Sequence, residues 1–152
     1  MRGKTGQQLK SKPINNARTD KLDSGFWRAS FEKRRCVIPV EAFAEAERPK
    51  GAKTRTWISL PEQDVFAVAG IWRWSEEWGE VYSMVMTEAC VHMDGIHDRM
   101  PVILEGNAVG RWVRGSREEA LSLCVPYAGS LEIERTGDPW VRRRTVEGGR
   151  VS

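Results

Sequence analysis

The chain has 152 residues, 40% hydrophobic and 30% charged, enough for one core and short for two comfortable domains. No run approaches the roughly 18 uninterrupted apolar residues of a membrane helix, and the opening MRGKTGQQLK carries no apolar signal-peptide core, so a cytoplasmic protein without a membrane partner is expected. The net charge of +3 hides an asymmetry: residues 1–35 hold ten Lys or Arg against three acids, a net of +7, and the remainder nets −4. A basic end suits a polyanion-binding face, because phosphate neutralisation supplies most of the sequence-independent affinity for nucleic acid. A solvated arm explains the same charge. Cys36, Cys90 and Cys124 are odd in number, widely spaced and without a C-x-x-C pair, which argues against both a disulfide framework and a zinc site. Neither a metal nor a cofactor is expected.

The first informative stretch is PINNARTD (13–20), which sets the amides of Asn15 and Asn16 beside Arg18. Amides donate and accept without charge, and an arginine offers a planar fork suited to phosphate, so the trio could hold a sugar-phosphate; ordinary Asx-turn chemistry explains the asparagines too. Next, DSGFWRASFEKRR (23–35) spaces Phe26, Trp27 and Phe31 as a short amphipathic helix with Ser24 as N-cap and a basic second face. Trp27, next to Arg28, is a candidate for stacking an unpaired base, and core filler is the competing use. CVIPV (36–40) reads as a short buried strand kept near an edge by Pro39. In AFAEA, which follows, Glu45 sits among small apolar residues, where desolvation raises a carboxyl pKa as acid–base work requires. Glu47 is expected to face water.

TWISL (56–60) alternates as a strand, and VFAVAGIWRW (65–74) with VYSMVMT (81–87) reads as a hairpin closed by a polar loop containing Gly79. Trp57, Trp72 and Trp74 fall in these strands and are expected in the core or on a sheet face. In IHDRMPVIL, Met100 to Leu104 should enter the core while Pro101 cannot donate to a ladder, leaving His97 and Arg99 in a loop at the sheet end. An imidazole, with an unperturbed pKa of about 6.5, both gives and takes protons near neutrality. The bland alternative is a local ion cluster in which Asp98 and Arg99 satisfy one another. SREEALSLC (116–124) carries a capping box, Ser116 with Glu119, and so starts a helix. LEIER (131–135) follows as a strand. Strands interrupted by single helices, without regular alternation, argue for an α+β fold with a curled or barrel-like sheet.

Taken in order, INNAR, RRCVIPVEAFAEA, FAVAGIW, MTEA and IHDRMPVIL resemble the SOS-response-associated peptidase (SRAP) family of abasic-site processing proteins, over about Pro13 to Trp112. The resemblance implies a mixed, barrel-like sheet flanked by a few short helices. It frames residues 1–141 as one domain, incomplete at its N-terminus; the remaining 142–152, arginines followed by glycine and polar residues, read by composition as a basic, disordered tail. It also implies action on single-stranded DNA containing abasic sites in the DNA-damage (SOS) response. In that family an N-terminal cysteine attacks the open-chain aldehyde of an abasic sugar, its amine forming an imine and its thiol closing a thiazolidine that crosslinks protein to DNA. Carried over by motif, the catalytic set is Asn16, Glu45 and His97. Arg18 and Arg99 would hold phosphates, with Arg28, Trp27 and Thr87 as further DNA-binding candidates.

Two departures stand out. The chain opens Met1-Arg2-Gly3-Lys4 where the family opens Met-Cys-Gly-Arg, so the family's nucleophile is missing and enzymatic activity stays open. The family's G-F-Y-E-W is here AFAEA, which removes the aromatic neighbours of Glu45. Two functions are therefore expected as alternatives: an SRAP-type abasic-site processing protein, or a single-stranded DNA-binding module that does not crosslink. The sequence names no protein partner.

Overall fold

The computed structural model describes residues 13–141; the expectations for the opening residues and for a tail at 142–152 lie outside them. In chain order the elements are β1 (Asn16–Arg18), α1 (Arg28–Lys33), β2 (Arg35–Val40), β3 (Phe43–Glu47), β4 (Thr54–Ser59), β5 (Phe66–Ser75) and β6 (Gly79–Glu88). There follow β7 (Arg99–Pro101), β8 (Ile103–Leu104), α2 (Ala108–Arg114), α3 (Arg117–Ser122) and β9 (Glu132–Pro139). The class is α+β, as expected. The described strands form two open sheets, one of six strands with the path β1-β6-β5-β2 and one of three in the order β3-β4-β9, and this strand order closes no barrel.

The expected hairpin is the spine of the larger sheet. β5 and β6 pair antiparallel from Ser75↔Gly79 to Gly70↔Met84, and Gly79 turns the chain at φ 73°, a left-handed conformation that glycine adopts without a Cβ penalty. Beyond Gly70 the two strands part. The segment of β7 and β8 fills the gap, β7 pairing with β6 over Met86↔Pro101 to Glu88↔Arg99 and β8 with β5 over Ala67↔Leu104 and Val68↔Ile103. At the centre of this wedge Val102 bonds both ways: its N–H donates to the Val85 carbonyl, and its carbonyl accepts from the Ala69 N–H, each at 2.9 Å. MPVIL is therefore apolar because it is inserted between two core strands, and His97 precedes it where it emerges.

Side-chain alternation splits the core between the two faces of the large sheet. One face, with Ala69, Ile71 and Val85, packs under the helices against Phe31 and Trp112. The other, with Ile38, Phe66 and Val68, packs against Phe43 and Ile58 of the small sheet. Trp112 is fully buried, and its indole N–H reaches the carbonyls of Cys36 at 2.9 Å and Gly70 at 3.3 Å, pinning α2 to the sheet. Arg35 ties the helix ends down: Nε donates to the Trp112 carbonyl at 2.6 Å, Nη1 to Phe31 at 2.9 Å, and Nη2 to Gly115. These carbonyls lie at the C-terminal ends of α1 and α2, where an intrahelical partner is lacking and a cation is favoured. Gly70 is required by close approach, since a Cβ there would lie 2.8 Å from Ile38 and 2.9 Å from the Cys36 sulfur.

Several local expectations are corrected. α1 starts at Arg28 instead of near Ser24; the Ser24 carbonyl accepts from the N–H groups of Trp27 and Arg28, closing a turn, because Gly25 disfavours helix there. Trp57 and Trp74 take the sheet-face alternative, exposed on their strands at 36% and 68%, and the fully buried tryptophan among the described residues is Trp112, for which there was no expectation. FAEAE (43–47) forms β3, with Phe43, Glu45 and Glu47 sharing one face by the two-residue repeat. Glu47 does not face water: its side chain is 14% exposed, accepts from the buried Thr56 hydroxyl and pairs with Arg135 Nε at 3.1 Å. The capping box of α3 is present with both its bonds. No helix among the described residues is long and apolar enough to cross a membrane.

Candidate functional site

Two elements bring the first pair of site residues together. β3 pairs with β4 in a register that places Glu45 opposite Thr56, and the inward face of the strand carries the Glu45 carboxylate toward the mouth of the wedge. His97 stands there, its Nε2 4.0 Å from Glu45 Oε2. Glu45 is 16% exposed and His97 40%, so a shielded carboxylate meets an imidazole open to solvent. Burial raises the Glu45 carboxyl above its ordinary value, His97 draws it back down, and the Asp98 charge adds to the rise. A carboxyl so placed takes up protons more readily than a free glutamate does.

His97 is oriented by its own chain. Its Nδ1 lies 3.0 Å from the Arg99 backbone nitrogen and 3.1 Å from the Arg99 carbonyl, so the Arg99 backbone holds that edge of the ring and leaves Nε2 facing Glu45. Nδ1 accepts from the Arg99 N–H in one tautomer and donates to the Arg99 carbonyl in the other. Asp98 does not pair with Arg99 as a closed local cluster. Its Oδ1 lies 3.5 Å from His97 Nδ1, while Arg99 Nη1 lies 3.9 Å from Asp20 Oδ1.

Asp20 is the residue that sequence reasoning missed. It sits in a 3-10 turn, Thr19–Lys21, directly after β1, and accepts a bidentate pair from Arg18, Nε at 2.9 Å and Nη2 at 2.7 Å. Arg18 pairs with Met86 on one edge of β6 and Arg99 with Glu88 on the other, so Asp20 links guanidiniums from the two strands flanking β6. Arg18 holds the Asp20 carboxyl below its ordinary value. Asn16 is exposed, two residues before Arg18, and therefore on the same face of β1. The only sequence signal for Asp20 was its two-residue offset from Arg18.

The remaining candidates separate. Arg28 is exposed on α1, and Trp27 is half-buried, packed against the helix-side core with its ring edge-to-face on Phe26 at 4.6 Å. Thr87 is buried at 3% exposure and its hydroxyl donates to the Cys124 carbonyl at 3.2 Å, so it ties β6 to the end of α3 and presents nothing to solvent. Cys90 is buried; Cys36 and Cys124 are half-buried with thiols pushed up by burial, Cys124 to about 12. Thiolates are disfavoured at both. Among the described residues no group of three or more His, Cys, Asp or Glu side chains is placed to hold a metal ion.

Residues 3–137 match the family model described as SOS response associated peptidase (SRAP). The chain belongs to the SRAP family. Among SRAP relatives, the abasic site processing protein YoaM of Bacillus subtilis is 33% identical over 121 residues, which cover 74% of this chain and 53% of YoaM. The abasic site processing protein HMCES of Xenopus tropicalis is 31% identical over 124 residues, covering 65% of this chain and 37% of that one. The SRAP chain described here thus spans about half the length of YoaM and less of HMCES. A crystal structure of a protein from Bacteroides thetaiotaomicron shares the fold with a TM-score of 0.70 at 26% identity, covering 79% of this chain and 57% of that one. A second, from Bordetella bronchiseptica, has the same TM-score of 0.70 at 24% identity, covering 80% and 64%.

Proposed function

We propose that this SRAP chain processes abasic sites in single-stranded DNA, with Glu45 and His97 moving protons on the deoxyribose while Arg18 and Arg99 hold its flanking phosphates. The observation that carries the reading is the 4.0 Å Glu45–His97 pair beside the two guanidiniums joined through Asp20. An abasic deoxyribose is a cyclic hemiacetal, and opening it needs a base and an acid at once. One group takes the hydroxyl proton at C1′; as the ring C–O bond breaks, the other delivers a proton to the departing ring oxygen, leaving an aldehyde and a free hydroxyl. A carboxylate with a raised pKa and a histidine are suited to these roles near neutral pH. Asn16, uncharged and on the Arg18 face of β1, would hydrogen-bond the sugar. Arg28 would add charge, and Trp27, half-buried beside it, would stack an unpaired base. The family chemistry attached to such an aldehyde is a covalent link through an N-terminal cysteine, taking place in the DNA-damage response.

A second reading, a single-stranded DNA-binding module without crosslinking, is favoured by one feature: burial disfavours the thiolate at Cys36 and Cys124, so neither is suited to attack an aldehyde. Both readings are tested with a fluorescein-labelled single-stranded oligonucleotide carrying one abasic site, beside its undamaged and duplex counterparts. Anisotropy should show salt-sensitive binding that prefers the single-stranded abasic oligonucleotide, and Asn16→Ala and His97→Ala should erase the preference while leaving binding to undamaged strand. A band surviving denaturing electrophoresis supports processing with attachment, and its absence the module. Binding that fails at 50 mM salt for every oligonucleotide would refute both.

A further inference from the structure

One carboxylate serves two arginines that come from opposite edges of the same strand. Asp20 takes the Nε and Nη2 edge of Arg18 in a fork-to-fork pair and lies 3.9 Å from Arg99 Nη1. That is the geometry in which a guanidinium grips a phosphodiester: two parallel N–H bonds to two oxygens of a single anion, with a second cation alongside. The three side chains are reachable, Arg18 and Asp20 being about half exposed and Arg99 a quarter. An ion pair this open to water is weakly held and readily exchanged.

We propose that Asp20 is a built-in stand-in for a DNA phosphate: it holds Arg18 and Arg99 converging on one point in the free protein, and a backbone phosphate displaces it on binding. The inference rests on the reading that these arginines face DNA, and goes beyond it by giving the free protein a competitor that sets its affinity. The displaced carboxylate stays tethered beside the arginines, so an incoming phosphate must compete with it and then sit near a retained negative charge, which lowers non-selective attraction to any polyanion. An oligonucleotide gains only if it also satisfies the neighbouring sugar site. The side-chain hydrogen bond from Arg18 holds the Asp20 carboxyl below its ordinary value, which favours the ionised form that competes with phosphate.

The test uses the full chain with Asp20→Asn and Asp20→Ala, the second guarding against a residual amide contact. Asp23→Asn serves as a charge control, since Asp23 pairs with Arg117 and touches neither site arginine. Anisotropy is read on undamaged and abasic single-stranded oligonucleotides from 50 to 300 mM KCl, after thermal melts confirm that each variant is folded. Both Asp20 variants should bind undamaged strand several-fold more tightly at 50 mM, with the abasic preference reduced. Their salt dependence should steepen, by up to about 0.7 in log–log slope for each guanidinium released. The control should change affinity less than twofold. If wild type binds with salt sensitivity and the Asp20 variants bind equally or more weakly, Asp20 is not a competitor and the inference is overturned while the DNA-binding reading stands. If wild type binds no oligonucleotide, both fall together.

Discussion

Replacing Arg35 with methionine should destabilise the domain by about 3–4 kcal/mol, although the residue lies outside the candidate site. Its guanidinium donates to the carbonyls of Phe31, Trp112 and Gly115, at the C-terminal ends of the two helices that cover one face of the large sheet. Each such bond from a charged donor contributes about 1.5–3 kcal/mol. Arg35 is half-buried, so water reaches some of the released carbonyls and the sum is discounted by roughly half. Methionine keeps the alkyl stem but removes the guanidinium, whose Cζ lies 5.7 Å from the Phe31 ring centroid and 6.0 Å from that of Trp112, so the loss combines the three bonds with these ring contacts. For a domain near 150 residues the loss corresponds to a fall in Tm of about 10 °C. Arg35→Lys restores the charge as a point and not as a fork, so it should recover about one of the three bonds. The measurement is urea unfolding of all three proteins followed by tryptophan fluorescence, with midpoints compared at constant slope. A lysine variant as stable as wild type would show that charge alone matters, and a methionine variant within about 1 kcal/mol would show that the three bonds contribute little.

Glu45→Gln should be more stable than wild type at pH 8, with the gain shrinking toward pH 4. Burial raises the Glu45 carboxyl above its ordinary 4.5, so the folded state binds this proton more tightly than the unfolded chain, and wild-type stability falls as pH rises through the raised value. Urea midpoints at the two pH values decide the matter, and equal gains at both would contradict it. Gly70→Ala should cost about 1–3 kcal/mol by crowding Ile38 and Cys36, as read from thermal melts; a neutral substitution would mean that β2 gives way freely. Cys124, with its thiol pushed up to about 12 by burial, should resist alkylation by iodoacetamide in the native protein at pH 8 and react fully in urea. Mass spectrometry of its peptide reports the result, and rapid native labelling would show that the helix end opens locally.

The elements legible in the sequence were those whose signals are local. The β5–β6 hairpin follows from two alternating runs around a turn glycine, and α3 from the Ser116–Glu119 box, because neither needs information from elsewhere in the chain. The helix α2 drew no expectation, because Gly106 and Asn107 before it are turn-forming residues and Gly110 interrupts its apolar period. For β3 the letters were misleading for a physical reason. Its glutamates lie on the inward face, against the usual rule, and only the register with β4 and β9 supplies Thr56 and Arg135 to receive Glu47. The same holds at the site. His97, Arg99 and Arg18 lie in motifs that can be recognised, and Glu45 stands out by its apolar neighbours, but Asp20 becomes meaningful only when β6 brings β1 and β7 to its two sides.

Where the hairpin forks and accepts the segment around Val102, the reactive end of the molecule inherits the rigidity of its most deeply bonded layer. His97 is a few peptide units from hydrogen bonds that open only when the sheet itself comes apart, so its ring direction is fixed by global stability and not by loop breathing. Amide protons of Ala69 and Val102 should accordingly be among the slowest to exchange with deuterium, and substitutions that loosen the fork should blur proton transfer at the sugar well before they unfold the protein.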